Sequence, residues 1–240
     1  MRALLCTVLL LCVLVIGACH PCCPKAVLGG PQAARSEPNA VSSQPMVPPE
    51  TPPASPAEMS LFDGKTLGHW KPTDFGGQGK VYVKDESILL EVGNDMTGVT
   101  WDGPLVRMNY EITLEAMRIS GSDFFCGLTF PVDANHCSLV LGGWGGTLCG
   151  LSNIDYYDAA NNETTRFVAF ENDKWYHVRL SVTPGRIQAW LDNEEEALVD
   201  MDITSRKIDT RIEMDLCQPM GIATWQTRGA IRNIKLRKLP

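Results

Sequence analysis

The sequence has few of the features that mark nucleic-acid-binding or zinc-binding proteins. Its 240 residues contain 21 Lys or Arg against 28 Asp or Glu, so the formal net charge is −7. A negative surface argues against nucleic acid as a partner, because nucleic acid binds to clustered positive charge. Histidine occurs only four times, and the four cysteines after residue 58 form no C-x-x-C pair, so a zinc site is not expected. No amphipathic helix longer than a turn or two is visible.

The first 19 residues have the layout of a secretory signal peptide. Arg2 precedes a mainly apolar run over residues 3–18, slightly shorter than the roughly 20 residues of a membrane-spanning helix. The run ends at Ile16–Cys19, which resembles the bacterial lipobox. This resemblance implies export to the bacterial cell envelope, acylation of Cys19, and membrane contact only through that lipid anchor. His20 after the cysteine implies sorting to the outer membrane. The alternatives are an ordinary signal peptide or an uncleaved anchor.

Residues 20–58 and 59–240 differ in composition. The first segment holds ten of the sixteen prolines and shows no hydrophobic period, so we interpret it as a disordered tether. The second segment is long enough for one all-β domain with a substantial core. In an exported protein an even number of cysteines suggests disulfides, whose pairing the sequence leaves open. The four cysteines are Cys126, Cys137, Cys149 and Cys217.

The clearest structural pattern is WYHVRLSVTPGRIQAWLDN, residues 175–193, in which apolar and polar side chains alternate on both sides of Pro184-Gly185. This alternation predicts a β-hairpin in which Val182 pairs with Ile187. Similar alternation recurs through the domain, and many strands separated by turns predict an all-β jelly-roll sandwich of two antiparallel sheets. The polar face of the hairpin is either solvent-exposed or part of a ligand groove.

The domain opens with LFDGKTLGHWK at residues 61–71 and closes with AIRNIKLRKL at residues 230–239. Between them lie, in order, GVTWDG, YEITLEAMRI, FFCGLTF and NDKWYHVRLSV. These segments resemble the 3-keto-disaccharide hydrolase domain family over nearly all of residues 60–239. The resemblance implies a concanavalin A-like jelly roll and a carbohydrate ligand. It also implies cleavage of a glycosidic bond in a 3-keto sugar: a base removes the C2 proton, the glycosidic oxygen leaves C1, and water then adds.

Two segments depart from the pattern of this family. Typical members carry a GLQxHG-like segment, where this chain reads GIATWQTRG, with Ala223 in place of the glutamine and Trp225 in place of the histidine. Typical members also carry a polar YEVQILD-like strand, where this chain reads CSLVLGGWGG without an acidic residue. Three functions therefore stay open: a 3-keto-glycoside hydrolase, a non-catalytic carbohydrate-binding module, and a lipid-tethered surface domain that binds protein. We expect a monomer.

Tryptophan is the main candidate for ligand binding. Trp144 stands between two pairs of glycines, which leave its indole room to lie against the apolar face of a sugar; an indole folded into the core is the alternative. Asp123 and His136 are the candidate catalytic bases, although a turn aspartate and a structural histidine would give the same pattern. The predicted substrate-binding residues are Trp144, Trp225, Gln226, Tyr156, Arg179 and Trp190.

The segment SNIDYYDAANNETTR, residues 152–166, is rich in side-chain oxygens. Calcium takes about six to eight oxygen ligands from such loops, so Asp155 and Asp158 are candidate ligands of Ca²⁺ or another divalent metal. A solvated loop is the alternative. A second acidic segment, EMDLCQ, would place Glu213 and Asp215 on one face of a strand. We interpret its likeness to a glycosidase motif as coincidence.

Overall fold

A computed structural model of the chain describes residues 58–192 and 195–240. The described residues form two antiparallel β-sheets, and the predicted jelly-roll sandwich is confirmed. No helix within them has the length and apolar character that crossing a membrane requires. The predicted signal peptide, its lipidation candidate Cys19, and nearly all of the predicted tether lie outside the described residues.

The first sheet has eight strands. Seven of them follow one another across the sheet in the order β13 (Val199–Asp202), β12 (Arg186–Leu191), β11 (Trp175–Thr183), β6 (Tyr110–Ser120), β15 (Arg228–Lys238), β4 (Ser87–Leu90) and β3 (Val81–Lys84), while β1 (Glu58–Ser60) pairs with the end of β15. The second sheet has the order β10 (Arg166–Phe167), β9 (Leu148–Ser152), β8 (Asn135–Gly142), β7 (Cys126–Val132), β14 (Gly221–Trp225), β5 (Met96–Trp101) and β2 (Trp70–Pro72). A single helical turn, Gly143–Gly146, follows β8, and a 3-10 helix, Ile212–Cys217, precedes β14.

Strands β11 and β12 form the predicted hairpin in the predicted register. Val182 lies opposite Ile187, and Arg179 lies opposite Trp190. Because side chains alternate between the two faces of a strand, this register sends one set of side chains into the core and the other to the outer face of the eight-stranded sheet. The alternation in the sequence was therefore sufficient to predict the pairing.

The main core lies between the inner faces of the two sheets. Ile112, Leu114 and Ala116 of β6 are buried there, and they alternate with partly exposed residues. Strand β7 is buried on both faces, because further chain covers the outer face of the seven-stranded sheet. Full burial of one large apolar side chain contributes about 1.5–3 kcal/mol, so this covering also stabilises the domain.

The covering segment is the 3-10 helix. Its Met214 and Cys217 pack against Met96 of β5 and Ala223 of β14 in a second, smaller apolar cluster. The segment EMDLCQ is thus mostly helical and is not a strand, so Glu213 and Asp215 do not form the carboxylate pair of a glycosidase strand. This outcome agrees with our interpretation of the motif as coincidence.

The prediction of disulfides is wrong, because the four described cysteines are free thiols buried in the domain. Burial raises the pKa of each of them to about 12. Cys126 and Cys149 show why no bridge forms: both pair with Leu141, from opposite sides. Two strand spacings amount to roughly 9.5 Å, beyond the roughly 7 Å that a disulfide allows between Cα atoms.

Candidate functional site

A pocket of about 240 Å³ opens on the outer face of the seven-stranded sheet. We call it the indole pocket, because Trp144 and Trp225 both line it. Its remaining walls are mostly apolar, with a few polar side chains. The apolar lining residues are Met96, Phe124, Val140 and Met214, and the polar ones are Asp123, Ser152, Arg211 and Glu213.

The turn Gly143–Gly146 presents Trp144 to this pocket. Trp144 has φ 48° and ψ 53°, a left-handed conformation that side chains disfavour, and the residue is 44% exposed. Gly145 and Gly146 also have positive φ. Gly146 has φ 103°, a backbone conformation that strains any L side chain, and a Cβ atom there would also lie 2.9 Å from Nη1 of Arg118. The glycines therefore serve a tight turn that leaves the indole half exposed.

Arg118 holds this turn from the buried side. Its Nη1 donates to the carbonyl oxygen of Gly146 at 3.1 Å, and its Nε donates to Oδ1 of Asn172 at 2.8 Å. The side chain is buried, and its donors reach neutral acceptors. The turn is thus fixed by hydrogen bonds to the strand β6 beneath it.

Asp123 lies beside the same turn. Its Oδ1 accepts a hydrogen bond from the backbone N–H of Phe124 at 2.7 Å, and its Oδ2 accepts a longer one from Gly145 at 3.4 Å. The backbone N–H of Asp123 donates to Oγ1 of Thr227 at 3.2 Å. Asp123 precedes β7 and Trp144 follows β8, and the antiparallel pairing of these strands brings the two predicted residues together at one pocket.

Trp225, the last residue of β14, also lines the pocket. Its ring lies 6.4 Å from the ring of Phe124, measured between centroids, and it packs on the cluster that contains Met96 and Ala223. Ala223 is fully buried. The two positions at which typical family members carry glutamine and histidine are therefore apolar here and packed against apolar neighbours.

Arg211 and Glu213 form the polar edge of the pocket and are not among the predicted binding residues. Arg211 donates to both carboxylate oxygens of Glu213 at 3.1 Å each, and to Oδ2 of Asp158 at 2.7 Å. The hydrogen bonds from Arg211 lower the pKa of Glu213. The sequence presents Glu213 only within EMDLCQ, whose spacing suggests a strand and not the 3-10 helix found here, and it carries no signal for Arg211.

Tyr156 lies in a neighbouring pocket of about 250 Å³ that shares Arg211 and Glu213 with the indole pocket. Its side chain is strongly exposed, and Nζ of Lys207 lies 3.7 Å from its ring centroid. Tyr156 is thus a neighbour of the candidate site, on the far side of the Arg211–Glu213 pair, and does not line the indole pocket.

Two further predicted residues lie away from the pocket lining. His136, the second candidate base, has its Nε2 atom 3.1 Å from Nη2 of Arg107; burial, and then the charge of Arg107, lower its pKa. Gln226 is exposed and donates to the carbonyl oxygen of Asn94 at 3.1 Å and to Oδ1 of Asp95 at 3.3 Å. The structure therefore gives both residues local structural contacts.

Arg179 and Trp190 lie on the eight-stranded sheet, and the indole pocket lies on the other sheet. The guanidinium carbon of Arg179 is 3.5 Å from the ring centroid of Trp190, and its Nη1 lies 3.5 Å from Oε2 of Glu111. The polar face of the hairpin thus forms a network of its own, and the structure does not bring these two residues to the candidate site.

The two candidate metal ligands are each engaged by an arginine. Asp155 accepts from Nε of Arg206 at 2.6 Å and from the backbone N–H of Lys207 at 2.7 Å, while Asp158 accepts from Arg211. Within residues 58–192 and 195–240, no group of three His, Cys, Asp or Glu side chains is placed to hold a metal ion. Because Ca²⁺ needs about six to eight oxygen ligands, this donor set does not fit it.

Comparison with protein families matches residues 58–237 to the family described as the 3-keto-alpha-glucoside-1,2-lyase-like domain. The chain belongs to this family. Membership confirms the family resemblance and indicates that the function of the domain is carbohydrate-related. No curated protein matches the chain.

Solved structures share the fold at low sequence identity. A Bacillus subtilis protein with a galectin-like fold is 12% identical with a TM-score of 0.50, covering 71% of this chain and 90% of its own. The exoplasmic/lumenal domain of VIP36, in a Ca²⁺/Man3GlcNAc-bound form, is 13% identical with a TM-score of 0.52, covering 75% and 88%. The apo Crh5 transglycosylase is 12% identical with a TM-score of 0.53, covering 78% and 85%. At these identities the likeness concerns the fold alone.

Proposed function

We propose that the domain binds a sugar ring in the indole pocket. The observation that carries this proposal is that Trp144 and Trp225 line one pocket together with polar side chains at its rim. The flat, electron-rich face of an indole suits the C–H face of a sugar ring, and Trp144 is exposed enough to meet one. The family membership supports a carbohydrate as the ligand.

The size and chemistry of the pocket favour a single ring. Its volume of about 240 Å³ lies just below the roughly 300–1,000 Å³ of pockets for drug-sized ligands. The carboxylates of Asp123 and Glu213 would accept hydrogen bonds from sugar hydroxyls, and the guanidinium of Arg211 would donate to them. Apolar faces with a few polar groups at the edge are the usual composition of a ligand site.

Cleavage of a 3-keto glycoside is the second candidate function, and the position of Asp123 favours it. In this reaction the Asp123 carboxylate would take the C2 proton, the electron pair of that bond would form the enolate with the C3 ketone, and the C1–oxygen bond would then break. The proton that Asp123 has taken passes to the leaving oxygen, and one water then adds across the C1–C2 double bond, so one water is consumed in total. Arg211 is the positive group at the pocket that would stabilise the enolate oxygen. Against this stand the apolar residues Ala223 and Trp225.

One experiment separates these functions. The full-length protein is incubated with 3-keto glycosides and with the unmodified glycosides; released sugar is followed by mass spectrometry and binding by the shift in melting temperature. Turnover that Asp123→Asn abolishes would establish the enzyme. Thermal protection without turnover, lost in Trp144→Ala, would establish a binding module. Trp190→Ala, on the other sheet, is the matched control and should change neither readout.

If neither turnover nor binding is observed, the sugar proposals fail and the third function, a surface domain that binds protein, becomes the leading one. We also propose that the chain is anchored at the outer membrane through Cys19. Labelling of cells with a clickable fatty acid tests the anchor, since Cys19→Ser should abolish the label on this protein. Fractionation of the envelope then tests the location.

A further inference from the structure

We propose that the indole pocket selects a sugar ring that carries a free amino group, whose ammonium is bound by Asp123. This inference rests on the proposed sugar-binding function and names the class of sugar. It starts from one carboxylate in the pocket wall whose surroundings differ from those of the other acidic residues nearby.

Asp123 has no salt-bridge partner among the described residues. Its Oδ1 accepts from the N–H of the next residue, Phe124, and its Oδ2 has only the 3.4 Å contact with the N–H of Gly145. A carboxylate oxygen can accept two hydrogen bonds, so Oδ2 retains most of its capacity. Because Asp123 lines the pocket, a ligand donor can use that capacity.

The other charged groups at the pocket already satisfy one another. Glu213 and Asp158 both accept from Arg211, and Arg118 donates to neutral oxygens beneath the turn. Among the residues that line the pocket, two carboxylates, Asp123 and Glu213, thus stand against one guanidinium, Arg211, which leaves one negative charge uncompensated. A cationic ligand would complete this set, whereas an anionic one would add to the imbalance.

The aromatic side chains favour the same ligand. Trp144, Trp225 and Phe124 line the pocket together with Asp123. The face of an aromatic ring attracts a cation within about 6 Å of its centroid, and Trp144 already has the Arg211 guanidinium carbon 5.8 Å from its centroid. Aromatic faces beside an unpaired carboxylate are the arrangement that recognises an ammonium group. A neutral sugar can meet the indoles and donate hydroxyl hydrogen bonds to Asp123, but only an amino sugar adds the charge of an ammonium group.

The test compares sugars of one size that differ in charge. Binding of glucose, its 2-amino and 3-amino derivatives, N-acetylglucosamine and glucuronic acid to the full-length protein is measured by calorimetry at about pH 6, where a sugar amine is protonated. At least one amino sugar should bind roughly tenfold more tightly than glucose, because a charge-assisted hydrogen bond is about twice as strong as a neutral one. N-acetylglucosamine should bind no better than glucose, and glucuronic acid should bind more weakly.

Asp123→Asn removes the charge but keeps an acceptor for the N–H of Phe124. In this variant the preference for the amino sugar should fall to about twofold or less, because the amide offers only a neutral hydrogen bond. Asp85→Asn, an equivalent change in an exposed turn of the eight-stranded sheet, is the matched control and should keep the preference. Melting temperatures of both variants show whether they are folded.

The outcomes separate this inference from the function on which it rests. Equal binding of glucose and the amino sugars by the wild-type protein, or a preference that survives Asp123→Asn, would overturn the inference and leave sugar binding standing. If none of these sugars binds, sugar binding in this pocket fails, and the inference fails with it. Turnover of 3-keto glycosides that depends on Asp123, without any preference for an amine, would assign Asp123 to proton transfer instead.

Discussion

Replacement of Trp144 by glycine should leave the domain more stable than replacement by alanine. Outside left-handed positions the order is the reverse, since glycine costs roughly 0.5–1 kcal/mol relative to alanine in regular structure. Trp144 has φ 48° and ψ 53°, where any L-residue pays about 1–2 kcal/mol and glycine does not. Both variants remove the same indole, so the sign of the difference between their free energies of unfolding reports the backbone strain at residue 144.

The absolute loss follows from the burial of the indole. With 44% of the residue exposed, roughly 110 Å² of a surface of about 200 Å² is buried, which corresponds to at most about 3 kcal/mol. Both variants lose this contribution, and the glycine variant should recover about 1 kcal/mol of it through the relaxed backbone. In a domain of this size, 1 kcal/mol shifts the melting temperature by about 2–4 °C.

The assay is thermal unfolding of the full-length wild type and both variants, with sugar binding measured on the same samples. Both variants should lose binding. Gly145→Ala provides the matched control, because Gly145 has φ 93° and nothing within 4 Å of a new Cβ atom; it should be destabilised by the backbone penalty alone. If the alanine variant at 144 melts at or above the glycine variant, the backbone of Trp144 is not strained in the way that its φ and ψ angles imply.

The buried cysteines, His136 and the acidic loop lead to further predictions. The four described cysteines should not react with thiol reagents at pH 8 until the protein unfolds, because burial raises their pKa values to about 12. A reductant should leave the melting temperature unchanged. A melting temperature that the reductant lowers would reveal a disulfide. The folded-state pKa of His136 lies below its ordinary value of 6.5, so the unfolded chain takes up a proton more readily. The stability of the domain should therefore fall as the pH drops from about 7 to 5. Melting curves of His136→Gln should show a weaker fall over the same range. Calcium should leave the melting temperature unchanged, because arginines already engage Asp155 and Asp158; a calcium-dependent rise that is absent in Asp155→Asn would restore the predicted metal site.

The hairpin β11–β12 could be predicted in full because all of its information lies in one contiguous stretch. The alternation fixes which side chains face the core, and the Pro184-Gly185 turn fixes where the strands reverse. The cysteines could not be treated this way. Their number is even, but whether two of them meet depends on which strands are neighbours, and Leu141 separates Cys126 from Cys149.

Only part of the candidate site could be predicted, because only part of it lies within one contiguous hairpin. The meeting of Asp123 and Trp144 follows from the β7–β8 hairpin, whose antiparallel pairing brings the residue before one strand beside the turn after the other. Because β7 and β8 are consecutive strands, an antiparallel hairpin between them would have predicted that Asp123 and Trp144 lie close together. Arg211 and Glu213 reach the pocket on a segment that crosses the outer face of the sheet, and no periodic pattern marks such a segment.

The apolar residues that β14 carries in place of glutamine and histidine allow the 3-10 helix to pack on this strand. A glutamine at 223 would be buried beneath Met214 and Cys217, where an unsatisfied polar group costs about 1–3 kcal/mol. Ala223 has no polar group, so the 3-10 helix can pack against β14 and form one side of the pocket. Arg211 and Glu213, at the start of this helix, line the same pocket as Asp123. The loss of the polar residues typical of the family thus does not leave the face empty. It replaces their hydrogen bonds with two indoles, an apolar floor and one carboxylate that lacks a cationic partner among the described residues.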